Sequence, residues 1–213
     1  MGKIEQGILG GLSGKVGNVI GGNWKGIDYI RIKPSEVSNP RTEGQVSQRN
    51  KFTATLEFLQ PNLDFIKIGF KGFTNQRSEF NAAMSYNLLN AITGTAPNYE
   101  VDYPNALVSR GNLATALNGS NDFTTPGQVD FSWDDNSNYG NANADDKSML
   151  LVYNPDKSLS SFILQGADRS VGSQSVTIPD NFAGDTVQVY MAFISSDGEK
   201  VSNSVYLGSG TAS

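Results

Sequence analysis

Apolar and polar residues alternate along Ile27-Asp28-Tyr29-Ile30-Arg31-Ile32-Lys33, a period of two that predicts a strand. Upstream, Val16 to Trp24 is also apolar at intervals, and Lys25-Gly26 between the runs supplies a two-residue turn, so 16–24 and 27–33 read as a hairpin. Residues 1–15 carry too many glycines to order themselves and read as an arm that settles only against another surface.

Beyond Pro34 the period changes. Thr42-Glu43-Gly44-Gln45 has the spacing of a capping box, with Phe52, Leu56, Leu59 and Leu63 following at helical intervals. A helix is expected over about 43–59, stopped by Pro61. Phe80, Met84, Leu88 and Ala91 mark a second, over about 75–92, with Gly94 as its stop. The apolar run 65–70 between them is too short to assign to either element type. Pro97, Pro104 and an absence of period suggest a linker over 95–105.

Strand patterns then take over from about Leu107. They include Val129-Asp130-Phe131-Ser132-Trp133, Met149 to Tyr153, Ser161 to Leu164, Ser173 to Ile178, Thr186 to Ile194 and Val201 to Leu207. In the fifth run Val187, Val189, Met191 and Phe193 share a face opposite Gln188 and Tyr190. Ser195 to Glu199 turns the chain into the last strand, and clusters of Gly, Asn, Asp and Ser separate the others, as in a sandwich of about seven strands.

Composition narrows the chemistry. The 213 residues are 38% hydrophobic, enough for packed cores. The absence of Cys and His excludes disulfide scaffolds, thiol nucleophiles, His-based triads and Cys or His metal ligands. No apolar leader opens the chain and no run approaches bilayer length, so cytoplasmic synthesis and no membrane insertion are expected. The net charge of −5 is uneven: residues 1–94 hold 11 Lys and Arg against 7 Asp and Glu, and residues 95–213 hold 5 against 14. A basic front and an acidic back suit head-to-tail contact between copies, an anionic partner, or plain solvated surface.

Three stretches invite a site. Gly14-Lys15 within glycines suggests a phosphate loop, but Leu9 stands where the first Gly is needed and Val16 where Ser or Thr would reach Mg²⁺. Asp134, Asn136, Asn138 and Asp145 fall at offsets 1, 3, 5 and 12, like a Ca²⁺ loop, yet the turn Gly comes one place late as Gly140. A long polar loop is the commoner meaning of such a stretch, so Ca²⁺ is the one ion to consider and no cofactor is expected. Trp24 and Tyr29 alternate with Lys25 and Arg31, which would suit stacking on single-stranded nucleic acid; hairpin aromatics more often pack a core, and nucleic acid is not the expected partner.

Val129 to Trp133 resembles the second strand, with its core Trp, of the fibronectin type III and immunoglobulin-like superfamily. Ala183 to Ala192 and Val201 to Ser204 resemble that superfamily's last two strands, although Val187 replaces the usual aromatic. The motifs Gly10-Gly11-x-Ser13-Gly14-Lys15-x-Gly17, Trp24-Lys25-Gly26 and Asn39-Pro40-Arg41-Thr42-x-x-Gln45-x-x-x-Arg49-x-x-Phe52 resemble an uncharacterised family of Bacteroidota and phage-associated proteins. That likeness implies context rather than chemistry, and similar helix starts in phage structural proteins imply an assembly role.

The expected fold is an α+β unit (hairpin plus two helices, 16–94) followed by an all-β immunoglobulin-like sandwich over 106–208, with an arm at 1–15 and a tail at 209–213. The expected function is that of a non-enzymatic assembly subunit, self-associating or joined to virion proteins. Its arm residues Ile8, Leu9, Leu12, Val16, Val19 and Ile20, with Trp24, would fill a neighbour's pockets, and Arg41, Arg49 and Lys51 would meet the acidic half. The alternative is a surface module that holds a glycan or protein ligand on the 134–146 loop.

Overall fold

A computed structural model of the chain describes residues 3–4, 11–36, 41–74 and 77–213. It divides into two units, Met1–Thr42 and Glu43–Ser213.

The first unit is an antiparallel sheet in the order β1 (Lys3–Ile4), β2 (Leu12–Val16), β3 (Val19–Trp24), β4 (Ile27–Ile32). The expected hairpin is present, and both turn residues have positive φ, Lys25 at 47° and Gly26 at 84°, the pattern of the I′ class that matches strand twist. The expected arm is corrected for residues 12–15 alone, since residues 1–2 and 5–10 lie outside the described residues. Residues 12–15 lie in β2, paired in their own chain with β3 through Gly14↔Gly21 and Lys15↔Ile20. Glycine makes this approach possible, since a Cβ on Gly21 would lie 1.9 Å from the Leu12 carbonyl oxygen. Gly21→Ala should therefore strip β2 from β3, read as loss of amide-exchange protection at 12–16 with protection in the second unit unchanged.

Among the described residues the second unit holds three α-helices and nine further strands. The helices are α1 (Glu43–Leu59), α2 (Leu63–Gly69) and α3 (Glu79–Asn90). Helix α1 starts directly after Thr42, where the capping signal places it. Helix α3 starts behind Ser78, whose hydroxyl accepts the Asn81 N–H at 3.2 Å. The buried stripe of α1 is Thr55, Phe58 and Leu59; Phe52 and Leu63, expected on it, are exposed. A linker over 95–105 is also corrected. Hairpin β5 (Ile92–Thr95) and β6 (Asn98–Val101), with a short helical turn at Tyr103–Asn105, occupies that stretch.

The strands β7 (Leu117–Asp122), β8 (Gln128–Asp134), β9 (Lys147–Asn154), β10 (Leu159–Ile163), β11 (Ser173–Thr177), β12 (Thr186–Ile194) and β13 (Val205–Thr211) form two antiparallel sheets, β11-β8-β7 and β10-β9-β12-β13. Because β13 runs to Thr211, most of the expected tail is strand.

Strands β9 and β12 are buried on both faces. Leu150, Val152, Val189, Met191 and Phe193 face Val129, Phe131 and Trp133 of the smaller sheet. Met149, Leu151, Tyr153, Tyr190, Ala192 and Ile194 face Phe58, Leu59, Phe65, Ile66, Phe70 and Ala83 of the helical layer. Phe58 meets the rings of Tyr103 and Tyr153 edge-on, at 5.9 and 5.4 Å between centroids. The helices therefore complete the sandwich's core as a third layer, and the separate α+β unit expected at 16–94 is not formed. Among the described residues, no helix is long and apolar enough to cross a membrane.

Candidate functional site

Two surfaces hold the residues singled out from sequence. On the first unit's sheet, strand pairing sorts side chains by face, because residues directly opposite each other project the same way. Pairs Ile20↔Arg31, Gly22↔Tyr29 and Trp24↔Ile27 put Ile20, Trp24, Ile27, Tyr29 and Arg31 on one face, with Lys15 beside them. Pairs Val16↔Val19, Val19↔Ile32 and Gly21↔Ile30 put Val16, Val19, Ile30 and Ile32 on the other, in line with Leu12.

Both faces expose large apolar groups: Trp24 is 54% and Tyr29 46% exposed on the first, Ile30 66% and Ile32 75% on the second. Leu12, Val19 and Ile20 are half-buried. The Tyr29 ring lies over the gap left by Gly22, where a Cβ would be 2.9 Å from the ring, so glycine here is exchanged for aromatic cover. Asn23 donates to Asp28 at 2.7 Å and holds the hairpin's end. Ile8 and Leu9 lie outside the described residues.

Of the basic residues expected to meet an acidic surface, Arg41 is exposed just before α1 and Arg49 is exposed on it. Lys51 instead sits 5.1 Å above the Tyr99 ring of its own chain.

The second surface is one end of the sandwich, where 113–117 and the β8–β9 loop enclose a cavity of about 820 Å³, with Asp135, Asn136, Asn138 and Tyr139 in its wall. The loop is organised by Arg169, which is fully buried. Its guanidinium donates through Nε to Asp146 at 3.1 Å, through one Nη to the Asn136 side-chain oxygen at 2.7 Å, and through the other to the Ala114 carbonyl at 3.0 Å. It also lies 3.7 Å from the Phe193 ring centroid, and the Trp133 indole donates to the Arg169 carbonyl at 2.7 Å. Burial pulls the guanidinium pKa down and Asp146 pushes it back up. Asp135 is held below the usual carboxylate range, chiefly by the Ser137 backbone N–H.

Two of the residues expected to hold Ca²⁺, Asp134 and Asn136, are engaged by other side chains. The Asn136 oxygen accepts from a buried cation, the Asp134 carboxylate accepts from Asn118 at 2.7 Å, and among the described residues no three acidic side chains gather as a metal group. Sequence reading passed over Arg169 because no local motif marks it. Its partners lie 23, 33 and 55 residues away.

Residues 11–208 match a family described as "Family of unknown function (DUF6266)", so the matched segment takes in strands of the first unit and nearly all of the second. The chain belongs to the DUF6266 family. No curated relative matches this DUF6266 chain. A solved structure similar to it is the fn3 domain of human collagen alpha-1(XX) chain, at 15% identity over 48% of this chain and 87% of that chain, with a TM-score of 0.35.

Proposed function

We propose that this DUF6266 chain is a non-enzymatic assembly subunit that self-associates through its first unit. One observation carries the reading: a single-layer sheet exposes Trp24, Ile27 and Tyr29 on one face and Val16, Ile30 and Ile32 on the other. A sheet hydrophobic on a face gains stability only by burying that face, and here both are open to water.

Charge supports contact between copies. Residues 1–42 carry six Lys and Arg against three Asp and Glu, whereas residues 43–213 carry ten against eighteen. The sandwich, read as fibronectin type III-like on the strength of Trp133 in its second strand, would be the body that the first unit links. The likeness of Asn39 to Phe52 to helix starts of phage structural proteins fits a subunit of a particle.

Light scattering across a concentration series tests this. The full chain is expected at multiples of 22.9 kDa and the 43–213 fragment as a folded monomer. A full chain that stays monomeric throughout would refute the assembly role.

A second reading rests on the cavity at the sandwich end. Tyr139 is 75% exposed beside Asn136, Asn138 and Asp135, an aromatic face with amides and a carboxylate, the side chains a glycan needs for stacking and hydrogen bonds. It predicts ligand binding that survives removal of residues 1–42.

A further inference from the structure

The free edge of the first unit's sheet has a hydrogen-bonding pattern that a second copy can match. Strand β4 is last in the order β1-β2-β3-β4 and so, among the described residues, has a partner strand on one side only. The Lys33 N–H donates to the Asn18 carbonyl at 2.7 Å. In an antiparallel ladder the residues that bond to a given neighbour alternate, so Arg31, Tyr29 and Ile27 also turn their backbone groups toward β3. The N–H and C=O groups of Asp28, Ile30 and Ile32 therefore point outward, away from the sheet.

Natural edges of this kind are usually blunted by proline, a bulge or charge. Here Ile27–Ile32 has no proline, its pairing with β3 is unbroken, its two charged residues, Asp28 and Arg31, are of opposite sign, and all six residues are exposed. Pro34, just beyond, limits any added pairing to this stretch.

Resting on the assembly reading above, we infer that β4 pairs antiparallel with β4 of a second copy about a two-fold axis through Ile30, joining two sheets into one. A two-fold axis perpendicular to the sheet keeps each face on its own side, so opposed residues must be of like parity. Centring on Ile30 pairs Ile30 with its counterpart and Asp28 with Ile32, so that every outward residue exchanges hydrogen bonds. It also sets Tyr29 opposite Arg31 in the closer, non-bonded pairs, an aromatic ring beside a guanidinium. The two neighbouring registers are worse. Centring on Arg31 opposes two like charges and sets Asp28 against Pro34, which has no N–H. Centring on Tyr29 leaves Ile32 opposite the turn at Gly26, whose N–H already donates to Asn23.

The chain has no Cys, so single cysteines introduced into the full-length protein report the register directly. Across a hydrogen-bonded antiparallel pair the Cα atoms are about 5.5 Å apart, within disulfide reach. Under mild oxidation Ile30→Cys is expected to form a covalent dimer at least tenfold faster than Leu89→Cys, an exposed control on α3. Asp28→Cys mixed with Ile32→Cys is expected to form the mixed dimer, and neither variant alone to exceed the control. Equal rates for Ile30→Cys and the control, in a protein that light scattering shows to be assembled, would overturn the edge pairing and leave the assembly reading standing. A monomer at every concentration would overturn both.

Discussion

Replacing Arg169 with Met is expected to lower the stability of the second unit by about 3–5 kcal/mol, the usual result of breaking a buried ion pair from one side. Both side chains of the pair are fully buried. Asp146 keeps one backbone partner, the Asn143 N–H at 2.9 Å, while its second carboxylate oxygen accepts no hydrogen bond among the described residues. Without the guanidinium a buried carboxylate stands uncompensated, and the Asn136 oxygen and Ala114 carbonyl lose their donor too. At roughly 2–4 °C per kcal/mol for a unit of this size, Tm should fall by about 6–20 °C.

The double variant Arg169→Met with Asp146→Leu removes both charges and should regain most of the loss, since an apolar pair of similar volume is often as stable as the ions it replaces. Urea midpoints of the two variants check this. Equal losses for single and double variants would mean that the network to Asn136 and Ala114, not the charge, holds the loop.

The parts of this fold that were legible in the sequence are those with one buried face or a local signal. The β3–β4 hairpin shows through its alternation and turn, α1 through Thr42 at its start, and the face of β12 through Val187, Val189, Met191 and Phe193. Strand β2 was hidden because Gly14 at its centre carries no strand preference of its own, and its pairing rests on the close approach that Gly21 of β3 allows. Strand β7, Leu-Asn-Gly-Ser-Asn-Asp, has one apolar side chain, Leu117, and so no apolar period to find.

The helical layer was placed wrongly for a different reason. Met149 to Tyr153 is apolar without a break because both faces are covered, a pattern that says a second layer exists without saying which segment supplies it. For the candidate site, Leu12 was expected on an arm over 1–15 and Val16 to Trp24 on a hairpin strand, whereas the structure presents all of them on one folded sheet. Strand β4 shows in the sequence as half of a hairpin and as an aromatic–basic alternation; its place at the sheet edge depends on pairing that no local pattern marks.

The shared core makes a sharper claim about the chain's boundaries. A fragment of residues 106–213, the sandwich cut at the position that composition suggested, is expected not to fold. It would lay bare Met149, Leu151, Tyr153, Tyr190, Ala192 and Ile194, all at most 3% exposed in the whole chain. Burying one large apolar side chain contributes about 1.5–3 kcal/mol, so losing cover over several of them removes on the order of 10 kcal/mol. That is comparable with the whole stability of an ordinary domain, about 5–15 kcal/mol. The cut also takes away the Tyr103 carbonyl that accepts from the Tyr190 hydroxyl at 2.8 Å, and the Gly69 carbonyl that accepts from the Arg110 N–H at 2.8 Å. The 43–213 fragment keeps every one of these contacts and should unfold cooperatively, with an intact near-ultraviolet circular dichroism spectrum. The shorter fragment should aggregate or bind a hydrophobic dye. Cooperative unfolding of 106–213 at the midpoint of 43–213 would show instead that the helices only decorate the sandwich, and would return the boundary to 95–105.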